Sequence, residues 1–278
     1  MKKNSLIILF LLLLTAGVDL CYGAIITVGK GKAITTIKKG ILKAHDGDTV
    51  LVFPGLYLEG NIIIDKAITL LGKGMPTLDG EKVHEPISVK SPYVTISGFR
   101  IKSSGYSSMD DKAGVKVYNT HHVRILNNDL SDNCFGIYAQ NAVHVEIKGN
   151  TIQAFGKAEQ LIGNGIHAWQ SDSLHIKDNI IKGHRDGIYL EFVTHTEVIN
   201  NLSEHNLRYG LHFMFSHNNS YIENIFRSNG AGVAVMYTHH VHMENNVFEE
   251  NWGDASYGLL LKDISDSKII NNKFDHNT

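Results

Sequence analysis

The residues best suited to chemistry in this 278-residue chain are two methionines and a histidine: Met214, Met236 and His212. Thioethers are soft, polarizable donors, and an imidazole is a borderline one. Two sulfurs with one ring nitrogen therefore suit Cu(I) over Zn(II) or Mg(II), which favour harder ligands. Met214 and Met236 each stand four residues after a glycine, Gly210 and Gly232, and His212 stands two after Gly210. In a strand, residues two apart share a face about 7 Å from one another, and equivalent positions on neighbouring strands lie about 4.8 Å apart. The spacing predicts three outward-facing donors able to converge on one Cu(I). Methionine pairs also pack, and an outward histidine also simply meets solvent. The competing reading of the trio is thus a docking surface for a partner protein.

The same offsets from other glycines carry Tyr138, His167 and Tyr189 at the second position, and Trp169 and Glu191 at the fourth. These are not the side chains of an ordinary solvated face, and they read as an exposed binding strip. A second histidine set falls seven or eight residues after a glycine: His121, His122, His144, His195, His217, His239 and His240. With no acid or thiol beside it in the repeat, this set reads as a solvated edge.

Catalytic motifs are weak. Asp110-Asp111 has no third acid near it, and His184-Arg185-Asp186 imitates a kinase triplet without any glycine-rich phosphate loop. Cys134 has no base beside it and reads as a packing residue. No catalytic residue is assigned, and the chain reads as non-enzymatic. The competing reading is a carbohydrate-active enzyme, a lyase, hydrolase or epimerase, in which the aromatic strip would stack sugars and Glu191 would work with His167 and His212.

The elements that must hold these residues follow from a repeat. A glycine followed by an aliphatic residue recurs at Gly114, Gly136, Gly165, Gly187, Gly210, Gly232 and Gly258. Fourteen residues after each stands an asparagine: Asn128, Asn150, Asn179, Asn201, Asn224, Asn246 and Asn272. Three short apolar alternations fill each repeat, for example Val115 and Val117, Val123 and Ile125, then Leu130. Such strands cannot bury their faces alone, but stacked on neighbouring repeats they can. The prediction is all-β: a right-handed parallel β-helix of about nine coils, with the asparagines in one internal column bonding along the axis. The glycine is expected because the preceding turn needs a positive φ. Thr36–Ala44 reads as a short amphipathic helix capping the N-terminal end. Long turns at Ser103–Lys112, Phe155–Asn164 and Asn251–Ser256 gather at one edge, just before a glycine.

Lys2 and Lys3 precede nine unbroken apolar residues, Leu6–Leu14, with Cys21-Tyr22-Gly23 following. That pattern predicts a cleaved export leader over 1–23 and an exported β-helix domain over 24–278. The last repeat stops short, so a C-terminal truncation is expected. Lys plus Arg number 26 against 28 Asp plus Glu, so no basic excess supports nucleic-acid binding. Two cysteines cannot form a disulfide scaffold.

The segment Gly47-Asp48-Thr49-Val50, with Pro54-Gly55 and Leu78-Asp79-Gly80 beyond it, resembles the opening of many carbohydrate-binding and sugar-hydrolase type β-helices. More specific are Arg208-Tyr209-Gly210-Leu211-His212-Phe213-Met214-Phe215-Ser216-His217, Ala231-Gly232-Val233-Ala234-Val235-Met236-Tyr237 and Tyr257-Gly258-Leu259-Leu260-Leu261-Lys262-Asp263. These runs are similar to the NosD family, periplasmic maturation proteins of nitrous oxide reductase. One departure is Val235-Met236, where relatives often have Leu-Met. The resemblance implies a non-enzymatic role in assembling a copper–sulfur centre. The implied partners are an ABC-type ATPase and membrane permease, a copper-carrying lipoprotein and nitrous oxide reductase. It also carries the family's His and Met positions onto His212, Met214 and Met236.

Overall fold

A computed structural model describes residues 23–107, 109–156, 159–253 and 257–277. The predicted leader over 1–23 lies outside the described residues except for Gly23. The chain winds into a solenoid whose walls are three parallel sheets of eleven, ten and nine strands. The eleven-stranded sheet runs from Ile25–Val28 to Lys268–Ile270, the ten-stranded from Leu56–Tyr57 to Lys273–Asp275, and the nine-stranded from Ile62–Ile64 to Leu259–Ser265. That makes about eleven coils, not nine. The extra coils lie where the sequence lacks the glycine–asparagine pair. Val50 and Leu70 there take the place that Ile125 holds later, and both are buried.

The repeat sets the register. Val115, Ile137, Ile166, Ile188, Leu211, Val233 and Leu259 pair in succession along the nine-stranded sheet. Their alternation turns one side of each strand into a continuous aliphatic core.

The asparagine column forms as predicted. Asn150 Oδ1 accepts the backbone N–H of Asn128 at 3.0 Å and its Nδ2 at 3.1 Å, and Asn179 does the same for Asn150 at 2.9 and 3.1 Å. The pattern continues through Asn201, Asn224 and Asn246 to Asn272. Each amide also satisfies a carbonyl of the coil below, as Asn201 Nδ2 does for Ile176 O at 2.9 Å. A second ladder stands five residues further on, where Asn206, Asn229, Asn251 and Asn277 bond in the same way.

The repeat glycines are not there for their φ angle. Left-handed backbone falls instead on the residue before each ladder asparagine: Asn127, Gly149, Asp178, Asn200, Glu223, Asn245 and Asn271. The glycines are steric. A Cβ on Gly187 would lie 2.0 Å from Ser203 Oγ and 2.6 Å from Gly210 O, and one on Gly136 would lie 2.4 Å from Gly165 O.

The capping helix spans Ile37–Lys43 and buries Ile37, Gly40 and Ile41. Thr36 makes no side-chain cap. Glu59, 22 residues further along the chain, supplies it: its carboxylate accepts the N–H of Ile37 at 2.7 Å and that of Lys38 at 3.0 Å.

Candidate functional site

The second position after each glycine projects from the outer side of the nine-stranded sheet, yet it is not exposed. Lys116, Tyr138, His167 and His212 are only 6–7% accessible. Adjacent rungs bring these side chains into one stack. Lys116 Nζ lies 4.4 Å from the Tyr138 ring centre, Tyr138 is 4.4 Å from His167, His167 is 5.0 Å from Tyr189, and Tyr189 is 4.7 Å from His212. Phe135, just before Gly136, closes over Tyr138 and His167. The predicted exposed strip is therefore a covered column, because each ring shields the next and the residues ahead of the glycines fold against it. Burial pushes the His167 imidazole down to about 3, which keeps it neutral.

The fourth position stays half-buried, and its side chains pair rung on rung: Trp169 with Glu191, Glu191 with Met214, Met214 with Met236. The two thioethers thus occupy neighbouring rungs of one face, as predicted. His212 shares their sheet, but its surroundings differ from the expectation. Its ring sits against Tyr189 and Tyr209, 4.7 and 4.9 Å away. Its Nδ1 lies 3.5 Å from Asp186 Oδ2, too long for an ordinary hydrogen bond, and Nε2 has no partner. The group in contact with Met214 Sδ is the Tyr189 hydroxyl, which donates to it at 3.7 Å.

Asp186 belongs to the triplet set aside in the sequence. It is fully buried, and Arg208 grips it with two hydrogen bonds of 2.8 and 2.6 Å. Burial works to raise this carboxyl, but the guanidinium outweighs it and holds it below the usual carboxylate range. Nothing in the repeat marks Asp186, because the position just before the glycine changes character from coil to coil, from Phe135 to Asn164 to Tyr209.

A groove of about 770 Å³ opens beside the lower part of the column. Tyr138, His167, Trp169 and Glu191 line it, whereas Tyr189 does not. Its opposite wall comes from the irregular coils and from the predicted loop that carries Asp110, Asp111 and Lys112. Glu85, unmarked in the sequence, is buried there. It accepts from the Ser88 hydroxyl and, at 3.0 Å, from the Tyr118 hydroxyl. Burial pushes the Glu85 carboxyl up, and burial also pushes the Lys116 ammonium down against the pull of Glu85 and Asp111.

Beyond the fourth position runs a further ladder that the sequence spaces regularly, at the fifth residue after the glycine. Phe192, Phe215 and Tyr237 stack nearly parallel at 5.2 and 5.1 Å. The second histidine set also pairs up: His217 stacks on His239 at 3.9 Å, and an acid does join it, with His195 Nδ1 2.8 Å from Asp172 Oδ2. Among the described residues, no group of three or more His, Cys, Asp or Glu side chains is arranged to hold a metal ion. Thioethers fall outside that set, and an unpartnered imidazole nitrogen on the strand of Met214, one rung from Met236, is a donor set whose chemistry fits Cu(I).

Residues 143–278 match a family described as "Periplasmic copper-binding protein (NosD)", and residues 40–159 match "Right handed beta helix region". A relative from Pseudomonas aeruginosa, "Probable ABC transporter binding protein NosD", is 26% identical over 166 residues, covering 59% of this chain and 39% of the relative. The chain thus spans about two-fifths of that relative's length. Pectate lyase Pel9A superposes with a TM-score of 0.64 at 13% identity, over 91% of this chain and 79% of its own. The PL6 family alginate lyase AlyGC superposes at 0.63 and 17% identity, over 90% of this chain and 38% of its own. At such identities the likeness to the lyases is one of fold alone.

Proposed function

We propose that this chain, a NosD-like right-handed β-helix protein, acts in the periplasm as a non-enzymatic accessory to assembly of the copper–sulfur centre of nitrous oxide reductase. Its partners in this reading are an ABC-type ATPase and permease, a copper-carrying lipoprotein and the reductase itself. The family description speaks of a periplasmic copper-binding protein, and the relative's name speaks of ABC transporter binding.

Copper is cargo in this reading, and the residues that would receive it are His212, Met214 and Met236. The observation that carries it is the unpartnered Nε2 of buried His212, on the same strand as Met214 and one rung from Met236. Asp186, kept ionised by Arg208, favours the imidazole tautomer with its proton on Nδ1 and so leaves the Nε2 lone pair free to donate. Soft sulfur donors then select the monovalent ion, which accepts low coordination numbers. The Tyr189 hydroxyl engages one of the two lone pairs of Met214 Sδ and leaves the other for metal.

The test is anaerobic Cu(I) competition titration of the mature chain against its Met214→Leu, Met236→Leu double variant. The swaps keep volume and apolarity, so folding survives. A loss of affinity of tenfold or more is expected. Equal affinities would mean that the methionines are not ligands and that this face docks a partner instead.

A further inference from the structure

We infer that the groove beneath the ring column binds a neutral oligosaccharide, at a site separate from the methionine pair. Three observations carry this.

The first is shape and surface. The groove's volume of about 770 Å³ falls within the range of about 300–1,000 Å³ typical of small-ligand sites. Tyr118 and Trp169, both half-buried, give it aromatic surface, and Asn61, Gln140 and Glu191 give it planar polar groups. Aromatic faces take the C–H surfaces of a sugar ring, while amides and carboxylates fix hydroxyls at its edge.

The second is unfilled hydrogen-bonding capacity of both kinds. Asn61 Oδ1, an acceptor, has no partner. His167 Nε2 has none either. The Asn164 amide meets the other nitrogen of that ring at 3.2 Å, so the ring's proton sits on Nε2 and makes it a donor. A hydroxyl both donates and accepts, so one class of ligand answers both needs.

The third is charge. Glu85, Asp110, Asp111 and Glu191 line the groove against Lys112 and Lys116. Lys116 is already engaged, donating to Asp111 O at 3.1 Å and lying over the Tyr118 and Tyr138 rings. Carboxylates outnumber free ammonium groups, so a polyuronate would be repelled. A neutral chain is not.

Trp169 reports on this site directly. The chain has two tryptophans, and Trp252 is exposed and lines no part of the groove. The experiment uses the mature chain carrying Trp252→Phe, titrated with cellohexaose, maltohexaose and chitohexaose, and in parallel with hexamers of galacturonate and mannuronate. The expected result is a saturable change in Trp169 fluorescence with at least one neutral hexamer and an affinity at least tenfold weaker for both acidic ones. Calorimetry of Trp169→Ala should show at least a tenfold loss, with an unchanged melting temperature as the folding control. Gln140→Ala, at the groove surface, should lose several-fold. Glu191→Gln should narrow the gap between neutral and acidic chains. The Met214→Leu, Met236→Leu variant should bind the glycan as the parent does, which separates this site from the copper reading. No response to any neutral hexamer overturns the proposal, and so does tighter binding of an acidic one. Saturation of the groove by a lysine-rich peptide in place of sugar would also overturn it and mark a protein-docking cleft.

Discussion

The hydroxyl of Tyr189 donates to the sulfur of Met214 across one rung of the nine-stranded sheet, at 3.7 Å. The hydroxyl draws on one of the two lone pairs of that thioether and weakens the sulfur as a donor, so the tyrosine opposes the metal. Tyr189→Phe should therefore raise Cu(I) affinity about threefold, the worth of a net hydrogen bond of about 0.7 kcal/mol. Competition titration of the two proteins measures it. An affinity that falls on substitution would show that the hydroxyl helps hold the site.

Asn201 lies in the middle of the first ladder. Its Oδ1 accepts both the N–H and the Nδ2 of Asn179, and its own Nδ2 serves Ile176 O and Asn224 Oδ1. Asn201→Leu strands two donors and one carbonyl in a buried turn. At about 1–3 kcal/mol for each orphaned group, partly relieved by relaxation, a loss of about 3–5 kcal/mol is expected in urea unfolding. A midpoint unchanged from the parent would count against the ladder as a source of stability.

Gly187→Ala tests the steric reading of the repeat glycine. The new methyl would meet Ser203 Oγ at 2.0 Å and Gly210 O at 2.6 Å. A cost of about 2–3 kcal/mol is expected, as for overpacking. Adding Ser203→Gly should recover only part of it, because the carbonyl is backbone and cannot rotate away. Full recovery would assign the constraint to the serine alone.

His167 and His184 are buried, and burial holds their pKa values at about 3 and about 4, below the ordinary 6.5. A histidine with a depressed folded pKa binds fewer protons when folded. Its contribution is therefore complete above the unfolded value and is lost as pH falls below it toward the folded one. At pH 5 the two together should cost about 4 kcal/mol relative to pH 7.5. Glu85, raised by burial, works in the opposite sense and is one group against two. Urea unfolding at the two pH values checks this, and His184→Gln should flatten the slope by roughly half. Equal stability at both pH values would refute it.

Much of this architecture was legible in the sequence, because a stacked fold repeats its constraints. Seven asparagines at one offset from seven glycines identify a column before any strand is assigned, and all seven take their places in it. The second ladder had an equal signal: Asn206, Asn229, Asn251 and Asn277 each stand five residues beyond a member of the first. The early coils were undercounted because Val50 and Leu70 pack without either marker residue. The candidate donors could be placed on their face by counting, but their surroundings could not. Asp186 holds the position before a repeat glycine, where the residue type changes from coil to coil, and Glu85 lies in a coil without the marker residues, so no pattern reveals them.

That variation has its own logic. Glycine to asparagine is always fourteen residues, whereas asparagine to the next glycine ranges from eight, as between Asn128 and Gly136, to fifteen, as between Asn150 and Gly165. The first ladder clamps the corner between the eleven- and ten-stranded sheets, and every added residue is extruded at the corner between the ten- and nine-stranded sheets, beside the second ladder. A lineage built on this frame can lengthen its barrel only by whole turns, yet it can redecorate one vertical seam residue by residue. Because the loops that roof the groove lie along that seam, ligand preference can drift between relatives while the walls that carry Met214 and Met236 stay in register.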